Sequence, residues 1–135
     1  MPFSPKFLIA MSAGAIVAAL ASASTGTAIA KEAGVQQVPA KPAAFATCAA
    51  CHSVEPGKNG IGPSLAGIAG RKAGGLPGFA YSNALKNSGI TWGAASLDRW
   101  LTSPQQAVPG TKMPFAGIPD PAKRREVVNY LLALK

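Results

Sequence analysis

Residues that commonly bind metals or form disulfides are scarce in this sequence. Its 135 residues include only two cysteines and one histidine, and these three lie together at Cys48, Cys51 and His52. A structural zinc site takes four Cys or His ligands, one more than the chain contains. A thioredoxin-type Cys-x-x-Cys pair follows a β-strand in a βαβ pattern, and nothing before Cys48 has the pattern of a strand. Both interpretations of the cysteine pair are therefore disfavoured.

Acidic residues are also few. Five Asp and Glu residues stand against 13 Lys and Arg residues, which gives a formal net charge of +8. Basic and aromatic residues are not interleaved as they are in nucleic-acid-binding segments. We therefore predict no nucleic-acid partner, despite the positive charge.

Runs of alternating polar and apolar residues, which would predict β-strands, are missing as well. No internal repeat or second domain is apparent, and residues 54–78 are rich in Gly and Pro. The sequence predicts an all-α fold of about four to five short helices with long Gly/Pro-rich loops. The expected helices are Ala43 to Cys51 after Pro42, Leu65 to Ala69 capped by Ser64, the segment from Ser82 through Lys86, Leu97 to Ser103 after Ser96 and before Pro104, and a last helix after Asp120.

The last helix has the clearest pattern. Asp120 is a favourable N-cap residue, and Pro121 suits the first helical position. Apolar residues follow at helical spacing and predict an inward-facing stripe, formed by Val127, Tyr130, Leu131 and Leu134.

The N-terminal segment has the pattern of an export signal. Lys6 precedes an apolar run from Phe7 to Leu20, and Ala28-Ile29-Ala30 fits a small-x-small cleavage site. We predict that residues 1–30 are a cleaved secretory signal peptide, that residues 31–41 form a flexible arm, and that residues 42–135 form the single domain. The alternative is an uncleaved N-terminus that anchors the protein to the membrane.

The run Cys48-Ala49-Ala50-Cys51-His52 is typical of covalent c-type haem attachment. Two intervening residues make one turn, which lets both sulfurs form thioethers on one edge of the porphyrin. The next residue, His52, is then directed at the iron. The sequence predicts one haem c, attached through Cys48 and Cys51 and ligated by His52. Export agrees with this prediction, because bacteria complete covalent haem attachment outside the cytoplasm.

Met113 is the candidate for the second axial ligand. Met1 and Met11 fall in the predicted signal peptide, which leaves Met113 alone in the domain, in a loop bracketed by Pro109 and Pro114. A methionine can also be simple core filler. Ligation by His and Met raises the reduction potential of a haem and leaves no open position for a substrate, so this pair predicts electron transfer without bond chemistry.

These residues and several further motifs resemble the class I cytochromes c, in particular the mitochondrial cytochrome c and bacterial cytochrome c2 branch. The resemblance extends from about Phe45 to Leu134. Besides the haem motif it includes Gly62-Pro63-Ser64-Leu65, Gly70-Arg71-Lys72, Pro77-Gly78-Phe79-Ala80-Tyr81-Ser82, Gly89-Ile90-Thr91-Trp92 and Pro109-Gly110-Thr111-Lys112-Met113. It implies the class I cytochrome c fold, wrapped around one haem.

The resemblance also implies roles for individual residues. The carbonyl of Pro63 would hold the imidazole of His52, Thr111 would fix the loop that bears Met113, and Phe115 would cover the haem edge. The remaining implied contacts are hydrogen bonds to the haem propionates from Arg71, Tyr81 and Trp92. Without the family, both aromatic residues could equally be core residues.

The sequence departs from the family at several positions. Trp100 stands where the mitochondrial branch has a Tyr that reaches the Met sulfur, and Leu85 stands where that branch usually has Asn. Of the ring of lysines that surrounds the haem edge in the family, only Lys112 clearly matches. Basic residues cluster instead at Lys123-Arg124-Arg125, which we interpret as a solvated face, with contact to a partner or an anionic membrane as the alternative.

These observations predict a soluble, monomeric, periplasmic one-electron carrier. Its partners would be redox proteins such as a quinol-cytochrome c reductase, a dehydrogenase and a terminal oxidase or reductase, which dock transiently at the haem edge. One alternative is a dedicated electron acceptor of a single periplasmic dehydrogenase. Another is a haem peroxidase, which would require Met113 to leave the iron.

Overall fold

The fold is described by a computed structural model that covers residues 39–135. The predicted signal peptide and residues 31–38 of the predicted arm lie outside the described residues. Within them there is no β-strand beyond one isolated bridge between Lys72 and Thr91, and none of their helices is long and apolar enough to span a membrane. The helices are a 3₁₀ turn at Ala43–Phe45, α1 (Ala46–Ala49), α2 (Asn83–Lys86), α3 (Ala94–Thr102), α4 (Pro104–Ala107) and α5 (Pro121–Ala133). The prediction of an all-α fold with short helices is confirmed.

Two helices begin where their capping residues predict. The hydroxyl of Ser82 accepts a hydrogen bond from the Leu85 backbone N–H at 3.1 Å. The carboxylate of Asp120 accepts from the N–H groups of Ala122 and Lys123 at 2.8 and 3.2 Å. Each side chain satisfies N–H groups that have no partner within the helix.

The predicted helix from Leu65 to Ala69 is wrong, because the chain forms turns there. Gly67 and Gly70 both have left-handed backbone conformations, with φ of +59° and +75°, which interrupt a right-handed helix. The Ser64 hydroxyl donates to the Glu55 carbonyl at 2.6 Å instead of capping a helix.

Two other helix boundaries differ from the prediction. α3 begins at Ala94, one turn before the expected start, because Gly93 is its N-cap and Ser96 lies inside the first turn. The Ser96 hydroxyl accepts from the Gly93 N–H at 2.8 Å and donates to the Thr91 carbonyl at 2.7 Å. The first helix is a 3₁₀ turn followed by a single α-turn that ends at Ala49, before Cys51.

The C-terminal helix joins the N-terminal and central helices into one core. Val127 and Leu131 are buried on α5, which packs against α3 and against the 3₁₀ turn. The rings of Phe45 and Tyr130 meet edge to face, with centroids 4.9 Å apart. Leu134, which we expected in the inward stripe, is only partly buried because α5 ends at Ala133. This packing fixes the 3₁₀ turn on α5, and α1, which carries Cys48, follows directly after that turn.

Candidate haem-binding site

One cavity of about 330 Å³ brings together all nine of the predicted site residues. Most of the side chains around it are apolar, including Leu85 and Trp100, the two positions at which the chain departs from the mitochondrial branch. The predicted site residues that line the cavity are Cys48, Cys51, His52, Pro63, Arg71, Tyr81, Trp92, Thr111 and Met113.

The haem motif enters the cavity on a tight turn. The backbone N–H groups of Cys51 and His52 both donate to the Cys48 carbonyl, at 3.1 and 2.9 Å. Cys48 is buried and Cys51 half-buried, and burial raises the pKa of the Cys48 thiol. Both sulfurs and the imidazole thus line one wall of the cavity from a single turn of chain.

The orientation of His52 is set by its contacts with the following loop. Its Nδ1 lies 2.8 Å from the Pro63 carbonyl oxygen, which is the contact that the resemblance implies. A carbonyl only accepts, so Nδ1 carries a proton in this contact, and in the neutral imidazole Nε2 then has the free lone pair. Gly62 permits this arrangement, because a Cβ there would overlap the imidazole and would lie 2.6 Å from Nδ1.

Arg71, Tyr81 and Trp92 form a group of polar and aromatic side chains on the cavity wall. The backbones of Arg71 and Trp92 are paired, with the Trp92 N–H donating to the Arg71 carbonyl at 2.9 Å. Burial raises the pKa of the Tyr81 hydroxyl, and the nearby Arg71 guanidinium partly offsets that effect. Two guanidinium nitrogens of Arg71 donate to the carbonyls of Ser64 and Ala66, at 2.8 and 3.0 Å. A guanidinium has five N–H donors, so further ones are available for an anionic group.

The loop that carries Met113 faces the same cavity from a different part of the chain. Thr111 is buried, and its N–H donates to the Val108 carbonyl at 3.1 Å. Gln105, whose role the sequence did not suggest, donates from Nε2 to the carbonyls of Thr111 and Met113 at 3.0 and 3.3 Å. A contact between a long polar side chain and a loop six to eight residues away gives no periodic signal in a sequence.

The basic cluster on α5 is only partly the solvated face that we expected. Arg124 is largely buried, and its Nε donates to the Asp98 carboxylate on α3 at 2.6 Å. Its Nη1 donates to the Ile118 carbonyl at 2.8 Å. Lys123 and Arg125 are exposed. Arg124 therefore joins two helices to the end of the Met113 loop.

The donor set of the cavity fits a haem. Two thiols and an imidazole lie on one wall, a thioether lies on the loop of another, and N–H and O–H groups of Arg71, Tyr81 and Trp92 are available for carboxylates. Apolar walls suit the porphyrin faces. Part of the apolar wall comes from α3, where Leu97 and Leu101 are buried on one face of the helix.

Comparison with known proteins agrees with the site. Residues 32–135 match the cytochrome c family. The chain is 55% identical to cytochrome c2 of Rhodoblastus acidophilus over 92 residues, which cover 67% of this chain and 86% of that protein. It is 51% identical to cytochrome c2 iso-2 of Magnetospirillum molischianum over 94 residues, which cover 70% and 97%.

A similar solved structure is also a cytochrome, as are these relatives. The chain superposes on cytochrome cH from Methylobacterium extorquens with a TM-score of 0.62 at 55% identity, covering 65% of this chain and 89% of that one. The protein therefore belongs to the cytochrome c family, as an electron-transfer protein rather than an enzyme, with one haem c bound covalently through Cys48 and Cys51.

Proposed function

We propose that the protein is a soluble periplasmic one-electron carrier whose haem iron is ligated by His52 and Met113. The observation that carries the proposal is that both side chains line one cavity together with Cys48 and Cys51, although Met113 is 61 residues from His52. When bound, the haem supplies a one-electron iron couple, and a His/Met pair favours its reduced state.

The protein's own groups prepare the cavity for this ligation. The hydrogen bond from His52 Nδ1 to Pro63 fixes the ring and makes the imidazole a better donor. Arg71, Tyr81 and Trp92 would hold the propionates, and Thr111 would stabilise the loop of Met113. The buried apolar residues Leu85 and Trp100 exclude water from the cavity.

The spectrum of the natively expressed protein tests the ligand set. We expect a low-spin haem with a methionine–iron charge-transfer band in the oxidised state. An intact mass should report one covalent haem and cleavage near Ala30. A high-spin, five-coordinate spectrum would instead favour the peroxidase alternative, in which Met113 leaves the iron.

The rim of the cavity supports docking through an apolar surface with weak electrostatic steering. The exposed residues that line the cavity include only one charged side chain, and they are Thr47, Ile61, Ala80, Lys112 and Pro114. Ile61 is 79% exposed, and exposed apolar side chains at a rim favour contact with a partner. We propose that partners such as a quinol-oxidising complex, a dehydrogenase or a terminal oxidase dock at this rim.

Salt dependence tests the docking proposal. Electron-transfer rates with membranes that contain a quinol-cytochrome c reductase should fall only mildly as salt rises, because few charges are screened. Ile61→Ser should slow the reaction more than Lys112→Gln does. A steep fall with salt, or the reverse order of the two variants, would contradict an apolar docking surface.

A further inference from the structure

The loop that carries Met113 is braced by a side chain from outside it. Gln105 lies in α4, immediately before the loop, and its Nε2 is 3.0 Å from the Thr111 carbonyl oxygen and 3.3 Å from that of Met113. A single side chain therefore contacts the backbone on both sides of Lys112.

The contact needs a hydrogen-bond donor and not only a side chain of the right length. Both partners of Gln105 are carbonyl oxygens, which accept but cannot donate. The amide NH₂ group has two hydrogens, one for each carbonyl. A glutamate of nearly the same shape would place negative oxygens against both carbonyls.

Gln105 connects the buried start of α4 to a loop that has no helical structure. Pro104 is fully buried at the first position of α4, and its carbonyl accepts from the Val108 N–H at 2.9 Å. Residues 111–120 contain no helix. Gln105 is thus held by the core at its backbone while its amide holds the loop.

We propose that Gln105 is a positioning residue that keeps the Met113 thioether at the iron by holding the backbone of its loop. The inference rests on the proposed function, in which Met113 is the sixth ligand. When the loop opens, an added ligand can take the sixth position, and its apparent affinity follows the fraction of open protein. Loss of hydrogen bonds of ordinary strength should raise that fraction about three- to tenfold.

The test is a titration of the oxidised holoprotein with imidazole, followed by loss of the methionine–iron charge-transfer band. Gln105→Ala should lower the imidazole concentration at half-saturation about three- to tenfold, and Gln105→Glu should lower it at least as much. Gln106→Ala is the matched control, because Gln106 is an exposed glutamine on the same helix. Within residues 39–135 no hydrogen bond joins Gln106 to the loop, so this variant should titrate like the wild type.

The outcomes separate the inference from the proposed function. In one outcome the wild type shows the methionine–iron band, and Gln105→Ala titrates with imidazole just as the wild type does. That result would overturn the role of Gln105 and leave ligation by Met113 intact. Equal shifts in the Gln105→Ala and Gln106→Ala variants would also overturn it, because they would indicate a general effect on α4. Absence of the band from the wild type would overturn the proposed function and the inference with it.

Discussion

The two walls that would supply the axial ligands are built in different ways. On the His52 wall, both haem-binding cysteines and the imidazole come from one turn, and Pro63 holds the ring from the loop that follows. On the Met113 wall, residues 109–120 are fixed by contacts from three other helices. These are Gln105 on α4, the Leu101 carbonyl on α3, which accepts from the Ile118 N–H at 2.7 Å, and Arg124 on α5.

The difference predicts which ligand is released more easily. Local opening is least costly where a segment depends on a few separate contacts and has no regular structure of its own. The His52 wall is also tied to the haem by two thioether bonds. We therefore expect the Met113 loop to open before the His52 wall does. Substitutions in each wall test this expectation.

The largest effect is expected from a substitution that adds a methyl group at Gly62, next to His52. Gly62→Ala would place a Cβ in steric overlap with the His52 imidazole, so the ring would have to move away from its contact with Pro63. Overpacking of this kind costs up to about 3 kcal/mol. Denaturant unfolding of the holoprotein should show that loss, and the oxidised spectrum should show disturbed ligation by histidine.

Gly93→Ala is the control for this substitution. A Cβ at Gly93 would have no atom within 4 Å, so the spectrum should be unchanged, with only the modest loss expected for alanine at an N-cap. A Gly62→Ala protein with wild-type spectrum and stability would show that the His52 wall is less tightly packed than its geometry indicates.

A smaller effect is expected from replacing Arg124, which acts as a clamp between α3, α5 and the end of the Met113 loop. Arg124→Ala leaves the Ile118 carbonyl and the Asp98 carboxylate without their donor, which should cost about 2 kcal/mol. Because the Ile118 segment ends the loop, the variant should also bind added imidazole more readily. Both changes can be measured on the same oxidised holoprotein.

Arg125→Ala removes the same charge from the next residue. Arg125 is exposed, so its replacement should change the free energy of unfolding by less than about 0.5 kcal/mol. If the two arginine variants behaved alike, net charge and not the clamp would explain the effect.

The smallest effect concerns the pH dependence of stability at Asp120, the N-cap residue of α5. Hydrogen bonds from the Lys123 and Ala122 N–H groups lower the pKa of Asp120 from its ordinary value of 3.8. A group whose pKa is lower in the folded state stabilises the fold above its unfolded pKa, and that contribution is lost as pH falls through the folded pKa.

Asp120→Asn keeps a capping oxygen but removes the charge. The difference in stability between wild type and variant should be full above about pH 4 and should shrink below it, as measured by denaturant unfolding across the acid range. Glu126→Gln removes the same charge further along α5 and serves as the control. A difference that stayed constant down to the lowest pH would contradict the assignment to Asp120.

The parts of the structure that could be predicted from sequence depend on neighbours in the chain. Ser82 and Asp120 cap their helices through N–H groups two or three residues away, and a capping pattern is visible at that range. The haem motif is local for the same reason. Its contact with Pro63 came only from the resemblance, because a separation of 11 positions in the chain does not fix where a carbonyl will lie.

The parts that could not be predicted depend on distant or unusual contacts. Gly67 and Gly70 adopt left-handed conformations that replaced the expected helix after Ser64, and a glycine in a sequence does not reveal the sign of its φ. Arg124 lies between two exposed basic residues, and only the position of Asp98 on α3, 26 residues earlier, makes it a clamp.

The most direct test of the account is a comparison of the oxidised wild-type protein with Met113→Ala. The wild type should show a low-spin spectrum with a methionine–iron charge-transfer band. The variant should lose the band, bind imidazole without competition and have a reduction potential lower by on the order of 0.1 V or more. An unchanged band and potential in Met113→Ala would contradict the claim that the Met113 loop supplies the sixth ligand.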